Sequence, residues 1–289
     1  MRTNGPSIIV SGASCQIGHF LLPRLANAGF QVHALSRHPK ADDGGPVTWH
    51  QADLAGSQAL ELQADGLIHL APLTLLPGLL PRLDTTRLSR IIAFGSTSRY
   101  TKAGSADPAE RAFAEDLEKA ENTLAEFCEA RHIHWTIFRP TLIYGCGRDK
   151  NVTVIARFLR RFRIFPLLGG DGGLRQPVHA DDLALACLQA WEKPAAFDRG
   201  YNLSGGEVMT YRAMVERIFR AEALAPRFLP VPLPLLRLAI RSLRLIPRYR
   251  YLSMEMVDRM AADLSFDHAD AQRDFGFAPR GFEPPTTGA

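Results

Sequence analysis

Gly12 and Gly18 stand six residues apart in Ser11-Gly12-Ala13-Ser14-Cys15-Gln16-Ile17-Gly18, between the apolar run Ser7-Ile8-Ile9-Val10 and the helix-forming His19-Phe20-Leu21-Leu22. A strand, a glycine turn and a helix in this order aim backbone N–H groups and the positive end of a helix at one point, which is the chemistry of phosphate binding. Gly12 permits the sharp turn and Gly18 lets the helix pack closely on the sheet. Ser14, Cys15, Gln16 and Ile17 offer main-chain donors around the same point. Cys15 occupies the middle glycine place of a G-x-x-G-x-x-G pattern, where it keeps its N–H but its side chain crowds the approach. The pattern predicts a dinucleotide cofactor. An ordinary strand-to-helix turn is the alternative that this segment alone leaves open.

The next strand ends in Ala34-Leu35-Ser36-Arg37-His38. An acidic residue here would bond the hydroxyls of an adenosine ribose, and none is present. Arg37, beside Ser36, offers a guanidinium suited to a ribose 2′-phosphate, so NADP is expected in preference to NAD. The competing reading of Arg37 is a plain surface arginine. Asp53 would accept from the adenine amino group with Leu54 against the ring, although a loop aspartate fits the same pair. Leu70-Ala71-Pro72 lets backbone pass close to a cofactor. Gly95-Ser96-Thr97-Ser98 and Arg139-Pro140-Thr141 add hydroxyls and backbone, and the convergence of all these segments on one sheet edge is stronger than any of them singly.

These residues need elements to hold them. Short apolar runs predict strands at Ile8–Val10, Gln31–Ser36, Val47–Gln51, Gly66–Leu70, Arg90–Phe94 and His134–Arg139, with helices at His19–Ala28 and Asp107–His132. The alternation predicts an α/β fold, a Rossmann-type doubly wound parallel sheet. After Pro140 the pattern changes to a basic helix, Val152–Arg163, a glycine-rich stretch, Gly169–Gly173, and a helix beginning near Asp181. The expected division is a dinucleotide-binding domain of residues 1–145, with a return segment at about 175–205, and a smaller substrate lobe of residues 146–174 and 206–289. With 289 residues, 46% hydrophobic and 22% charged, the chain can bury a full core, and a net charge of +4 gives no sign of a nucleic-acid partner. Cys15, Cys128, Cys146 and Cys187 form no C-x-x-C pair and read as reduced, mostly buried thiols, with no metal site. The absence of a signal peptide or long apolar span predicts a cytoplasmic protein.

Taken together, Gly12-x-x-Cys15-x-x-Gly18, Asp53-Leu54, His69-Leu70-Ala71, Gly95-Ser96-Thr97-Ser98-x-Tyr100, Arg139-Pro140-Thr141-Leu142-Ile143-Tyr144-Gly145 and Arg175-Gln176-Pro177-Val178-His179-Ala180-Asp181-Asp182 run in the order of a known family. The chain resembles an extended, or atypical, short-chain dehydrogenase/reductase of the NAD-dependent epimerase/dehydratase superfamily. It is similar to the atypical branch that includes the 39 kDa subunit of respiratory complex I and its bacterial relatives. The resemblance implies further cofactor contacts at Ser96, Pro140 and Leu142. It also implies a small-molecule substrate of the nucleotide-sugar kind, with Arg175 on its diphosphate and Tyr144, Asn151 and His179 nearby. A bland alternative pairs Arg175 with Asp181 or Asp182.

The departure from the family lies in its Tyr-x-x-x-Lys pair, which supplies a general acid/base. Alignment through Ala120-Glu121 puts Phe113 and Leu117 in those places, and neither can transfer a proton or carry a charge. Thr97 matches the family's third catalytic hydroxyl, and Tyr100 is the substitute donor if hydride transfer occurs. Two readings therefore stay open: an NADP(H)-dependent oxidoreductase or epimerase-like enzyme with an atypical site, and a non-catalytic NADP(H)-binding sensor, assembly factor or structural subunit. Finally, Leu233–Leu252 is an apolar run punctuated by arginines. It reads either as a lobe helix with its arginines in water, which is favoured, or as a peripheral contact with a membrane or a protein partner.

Overall fold

The computed structural model of the chain describes residues 5–40, 44–149, 151–168, 172–232 and 262–285. The predicted run at residues 233–252 lies outside these. Strands are β1 (Ser7–Ser11), β2 (Gln31–Ser36), β3 (Val47–Gln51), β4 (Gly66–His69), β5 (Arg90–Phe94), β6 (His134–Pro140), β7 (Ile143–Tyr144), β8 (Phe165–Leu168), β9 (Leu174–Arg175), β10 (Val178–His179), β11 (Arg199–Leu203), β12 (Met209–Thr210) and β13 (Phe228–Val231). Helices are α1 (Gln16–Asn27), α2 (Leu76–Leu79), α3 (Ser98–Thr101), α4 (Pro108–Glu129), α5 (Val152–Phe162), α6 (Ala180–Trp191), α7 (Tyr211–Ala221) and α8 (Ala269–Phe275).

Seven parallel strands form the main sheet in the order β11-β6-β5-β4-β1-β2-β3, a doubly wound Rossmann arrangement. The central strands β1, β4 and β5 are buried along their whole length, as expected of strands covered on both faces. The order reverses between β1 and β4. That is the switch point at which strand C-termini open a crevice, and Gly12 and Leu70 follow those two strands directly.

The chain divides into two compact units. The first is Met1–Pro140, Ala180–Leu203 and Asp267–Pro279, and the second is Thr141–His179, Ser204–Phe266 and Arg280–Ala289. The sequence-based boundaries need correction in two places. Residues 141–145 and 175–179 belong to the second unit, because β10 pairs with β7 and the Thr141 hydroxyl donates to the Gln176 carbonyl at 2.5 Å. Residues 267–279 return to the first unit. There Phe275 packs on Phe138 and Tyr201, and the Tyr201 hydroxyl donates to Asp274 at 2.8 Å. No helix among the described residues is long and apolar enough to cross a membrane. Cys128 and Cys187 are buried, whereas Cys15 and Cys146 are only half-buried.

Candidate nucleotide-binding site

The glycine turn is built by backbone crowding. Gly12 has φ +71°, and a Cβ added there would stand 2.5 Å from the Ala71 nitrogen. A Cβ on Gly18 would overlap the Ala13 carbonyl oxygen, so this glycine is required by the loop it follows rather than by the sheet, as the sequence suggested. The Cys15 N–H donates to the Gly12 carbonyl at 3.0 Å and closes the turn. Its Sγ accepts the Gly18 N–H at 3.4 Å, capping α1. The thiol expected to crowd the approach is thus also engaged with the helix end.

Gly12, Ser14, Cys15, Ser36, Arg37, Asp53, Leu54, Leu70, Ala71 and Pro72 come together around one cavity of about 430 Å³. Gln16, Ile17 and Gly18 form the first turn of α1 and do not line it. Leu35, Ala52, Ala55 and Leu75 complete the wall; as small or apolar residues they carried no chemical signal. Leu54, Leu70 and Ala71 are buried and make the apolar side. The Asp53 carboxylate accepts the Ala55 N–H at 3.0 Å and so shapes its own loop. Arg82, which sequence reasoning missed, clamps that loop by donating to the carbonyls of Asp53 and Leu54, each at 3.0 Å, and of Gln58 at 2.6 Å. Two glycines that tolerate no Cβ, a capped helix start and an apolar slot ending in Ser36 and Arg37 fit the adenosine-diphosphate half of a dinucleotide.

A buried pair holds the two edges of the turn together. The Ser11 hydroxyl and His69 Nδ1 are 2.7 Å apart, and His69 Nε2 lies 3.2 Å from the Pro72 carbonyl. A carbonyl only accepts, so Nε2 carries the proton and Nδ1 accepts from Ser11. Burial pushes the His69 pKa down to about 4, opposed only partly by the Pro72 hydrogen bond. The unfolded imidazole titrates near 6.5 and takes up a proton that the folded one refuses, so stability is present above pH 6.5 and falls as the pH drops toward 4. The expected loss is about 3 kcal/mol across that window. Denaturant titrations at pH 7, 6 and 5 should show it, and His69→Leu should flatten the slope; parallel slopes in the two proteins would rule out His69 as the source.

At the C-terminal ends of β5 and β6, Thr97 is buried and its hydroxyl donates to the Pro140 carbonyl at 3.1 Å. The Ser96 hydroxyl accepts the Ser98 N–H at 3.1 Å. Phe113 is 40% exposed on α4 with the Lys102 ammonium 5.0 Å from its ring, while Leu117 is 3% exposed within the apolar core. Lys102 also pairs with Glu110 at 3.2 Å. Below them Glu121, buried, receives Nε and Nη2 of Arg139 at 2.9 and 2.6 Å and is also bonded by Arg99. Burial alone would lower the Arg139 pKa, but hydrogen bonding and charge from Glu121 outweigh it and hold it above the usual value. The Tyr100 ring lies 5.8 Å from Arg139 and 6.0 Å from Arg99.

The remaining predicted residues belong to the second unit. Tyr144 is fully buried; it packs edge-on against Phe282 and His179, and its hydroxyl bonds the Gly281 carbonyl at 3.3 Å and the Glu283 N–H at 3.2 Å. The structure thus corrects Tyr144 from a substrate contact to a core residue. The Leu142 carbonyl accepts the Val178 N–H at 2.9 Å. Asn151 is exposed before α5, its N–H bonded to Asp149 at 3.0 Å. Arg175 is buried over the Tyr211 ring at 5.0 Å and donates to the carbonyls of Leu174 and Ala262. Asp181 pairs with Arg24 at 2.6 Å.

A switch-point crevice, a turn whose two glycines leave no room for a Cβ and a capped helix start define a dinucleotide-binding Rossmann protein. The model of the NAD dependent epimerase/dehydratase family matches residues 8–75 and 79–204, and the chain belongs to that family. The uncharacterized protein y4nG of Sinorhizobium fredii (strain NBRC 101917 / NGR234) is 32% identical over 147 residues, covering 50% of this chain and 36% of that protein. The mitochondrial NADH dehydrogenase [ubiquinone] 1 alpha subcomplex subunit 9 of Arabidopsis thaliana is 28% identical over 101 residues, 35% of this chain and 25% of that protein. This match fits the atypical branch to which the motifs pointed. The matched stretch thus spans well under half the length of either curated relative. Among solved structures, MoeE5 in complex with UDP-glucose and NAD shares the fold at a TM-score of 0.69 and 17% identity, covering 96% of this chain and 94% of that one.

Proposed function

We propose that the protein binds NADP(H) in the β1–β4 crevice and holds it without the family's tyrosine–lysine proton relay. The observation that carries the nucleotide reading is that Arg37 and Ser36 line the same cavity as Gly12 and Asp53. No acidic residue follows β2 there, and a guanidinium complements a 2′-phosphate that an acidic side chain would repel. Gly12, Ser14 and Cys15 would hold the diphosphate, and Asp53 and Leu54 the adenine. A bound nicotinamide dinucleotide supplies or accepts a hydride. Proton transfer to match it would fall to protein side chains, and here Leu117 is buried in hydrocarbon while the Thr97 hydroxyl is bonded to a carbonyl. Similarity to a respiratory-enzyme subunit supports the same reading. By fluorescence titration NADPH should bind at least tenfold more tightly than NADH, and Arg37→Ala should narrow that gap. Equal affinities in the parent protein would sink the assignment.

A second reading keeps catalysis, with Thr97 and Tyr100 at the reacting centre. It is favoured by the cations around Tyr100 and by Lys102 standing beside Phe113 in the tyrosine place. NADPH consumption with a carbonyl or nucleotide-sugar panel, abolished by Tyr100→Phe, would establish this reading. Tight binding with no turnover would establish the first.

A further inference from the structure

One surface of the second unit is left over by the nucleotide reading. Helix α5 buries Val152, Ile155, Ala156 and Leu159 and turns Arg157 and Arg161 outward. It ends at Arg163, which adopts a left-handed conformation with φ 58° between two exposed apolar side chains, Phe162 at 56% and Ile164 at 40%. The strand that follows alternates. Phe165 and Leu167 are buried, while Ile164, just before β8, is exposed next to Arg227, whose carbonyl accepts the Phe165 N–H at 2.8 Å; in β13, Leu229 pairs with Pro166. Leu229 is 51% exposed. Arg160 pairs with Glu222 at 3.5 Å, but no carboxylate among the described residues pairs with Arg157, Arg161, Arg163 or Arg227. The sequence supplies no acid nearby: none occurs from residue 150 to 170 or from 223 to 254.

We propose that the end of α5, from Arg157 and Arg161 through the left-handed Arg163 to Ile164 and the adjoining Arg227, docks on an anionic lipid surface. Exposed aromatic and aliphatic side chains interleaved with unpaired arginines suit the boundary between headgroups and acyl chains, where the apolar groups leave water and the guanidinium groups meet phosphates. An acidic protein or a nucleic acid would satisfy the arginines alone. Ile164 has no ring with which to stack on bases, and beside Phe162 and the arginines it suits a hydrocarbon partner better than a base. Four arginines at the surface give binding that strengthens with anionic lipid and weakens with salt.

The test is flotation of the full-length chain with phosphatidylcholine vesicles, with and without phosphatidylserine. Binding is expected only to the anionic vesicles at low salt, and raised salt should weaken it. The pair Arg157→Gln/Arg161→Gln should lower the partition coefficient about 30-fold, since each arginine is worth roughly fivefold at such a surface. Phe162→Ser/Ile164→Ser should also lower it; Tm should be unchanged in the arginine pair, and a circular-dichroism spectrum like the parent's shows that the second pair, which loses the 4.6 Å contact of Phe162 with Phe158, is still folded. Anionic-vesicle binding unaffected by either pair would place the contact elsewhere, for example in residues 233–252, and overturn the proposal. Failure to float would do the same. So would tighter binding to RNA or to an acidic polypeptide that ignores the apolar pair.

Discussion

Gly12→Ala is expected to weaken NADPH binding by more than 100-fold and to lower Tm by several degrees. The new Cβ would meet backbone on the far side of the crevice, 2.5 Å from the Ala71 nitrogen and 2.8 Å from its Cα, and neither atom can swing away like a side-chain tip. The residue would also keep φ +71°, a conformation that costs an L-amino acid about 1–2 kcal/mol. Either the Leu70–Pro72 edge retreats or the turn opens, and both reshape the wall on which the nucleotide sits. Gly18→Ala should act in the same direction through the Ala13 carbonyl. Gly104→Ala, where an added Cβ meets open space, serves as the control. Calorimetric binding with a thermal melt decides the matter: parental affinity and Tm in Gly12→Ala would mean that the turn does not shape the site.

The second large effect concerns stability. Replacing Glu121 by leucine is expected to cost about 3 kcal/mol, because removing one partner of a buried ion pair strands the other. Glu121 is 3% exposed and accepts from both Arg99 and Arg139; without it Arg99 keeps Glu118 at 2.7 Å, whereas the Arg139 guanidinium is left without its carboxylate. Glu121→Gln keeps the shape and part of the hydrogen bonding, so its loss should be smaller. The paired variant Glu121→Leu/Arg139→Met should recover part of the loss, since a well-packed apolar replacement of a buried ion pair is often tolerated. Denaturant unfolding of the three proteins gives the comparison. A Glu121→Leu protein as stable as the parent would show that the cluster contributes nothing to the fold.

The legible part of the chain was the part governed by local rules. β2, β3 and β5 stand out as short apolar runs, and the predicted bounds coincide with the observed ones. Ten of the predicted cofactor residues share one cavity because all lie at or within a few residues of the C-terminal ends of β1, β2, β3 and β4, and the ends of parallel strands converge by geometry. β11 was missed. Arg199-Gly200-Tyr201-Asn202-Leu203 lacks the apolar pattern of a core strand and is held by pairing with β6, with Gly200 leaving room for the Arg139 guanidinium across it. Tyr144 was misread for the same reason: its hydroxyl is satisfied by backbone at residues 281–283, well over a hundred positions away. Arg82 gave no warning, because a clamp on carbonyl groups leaves no trace in residue type.

The chain changes unit after residues 140, 179, 203, 266 and 279. A ribosome delivers the segment carrying α8 late, so the aromatic cover of β6 and β11 by Phe275 is missing while the rest of the sheet is already outside the exit tunnel. The Rossmann unit is therefore completed only after all seven of its sheet strands have been made. A nascent chain stalled before Asp267 should remain sensitive to protease around Phe138, and synthesis of residues 267–279 should close that window.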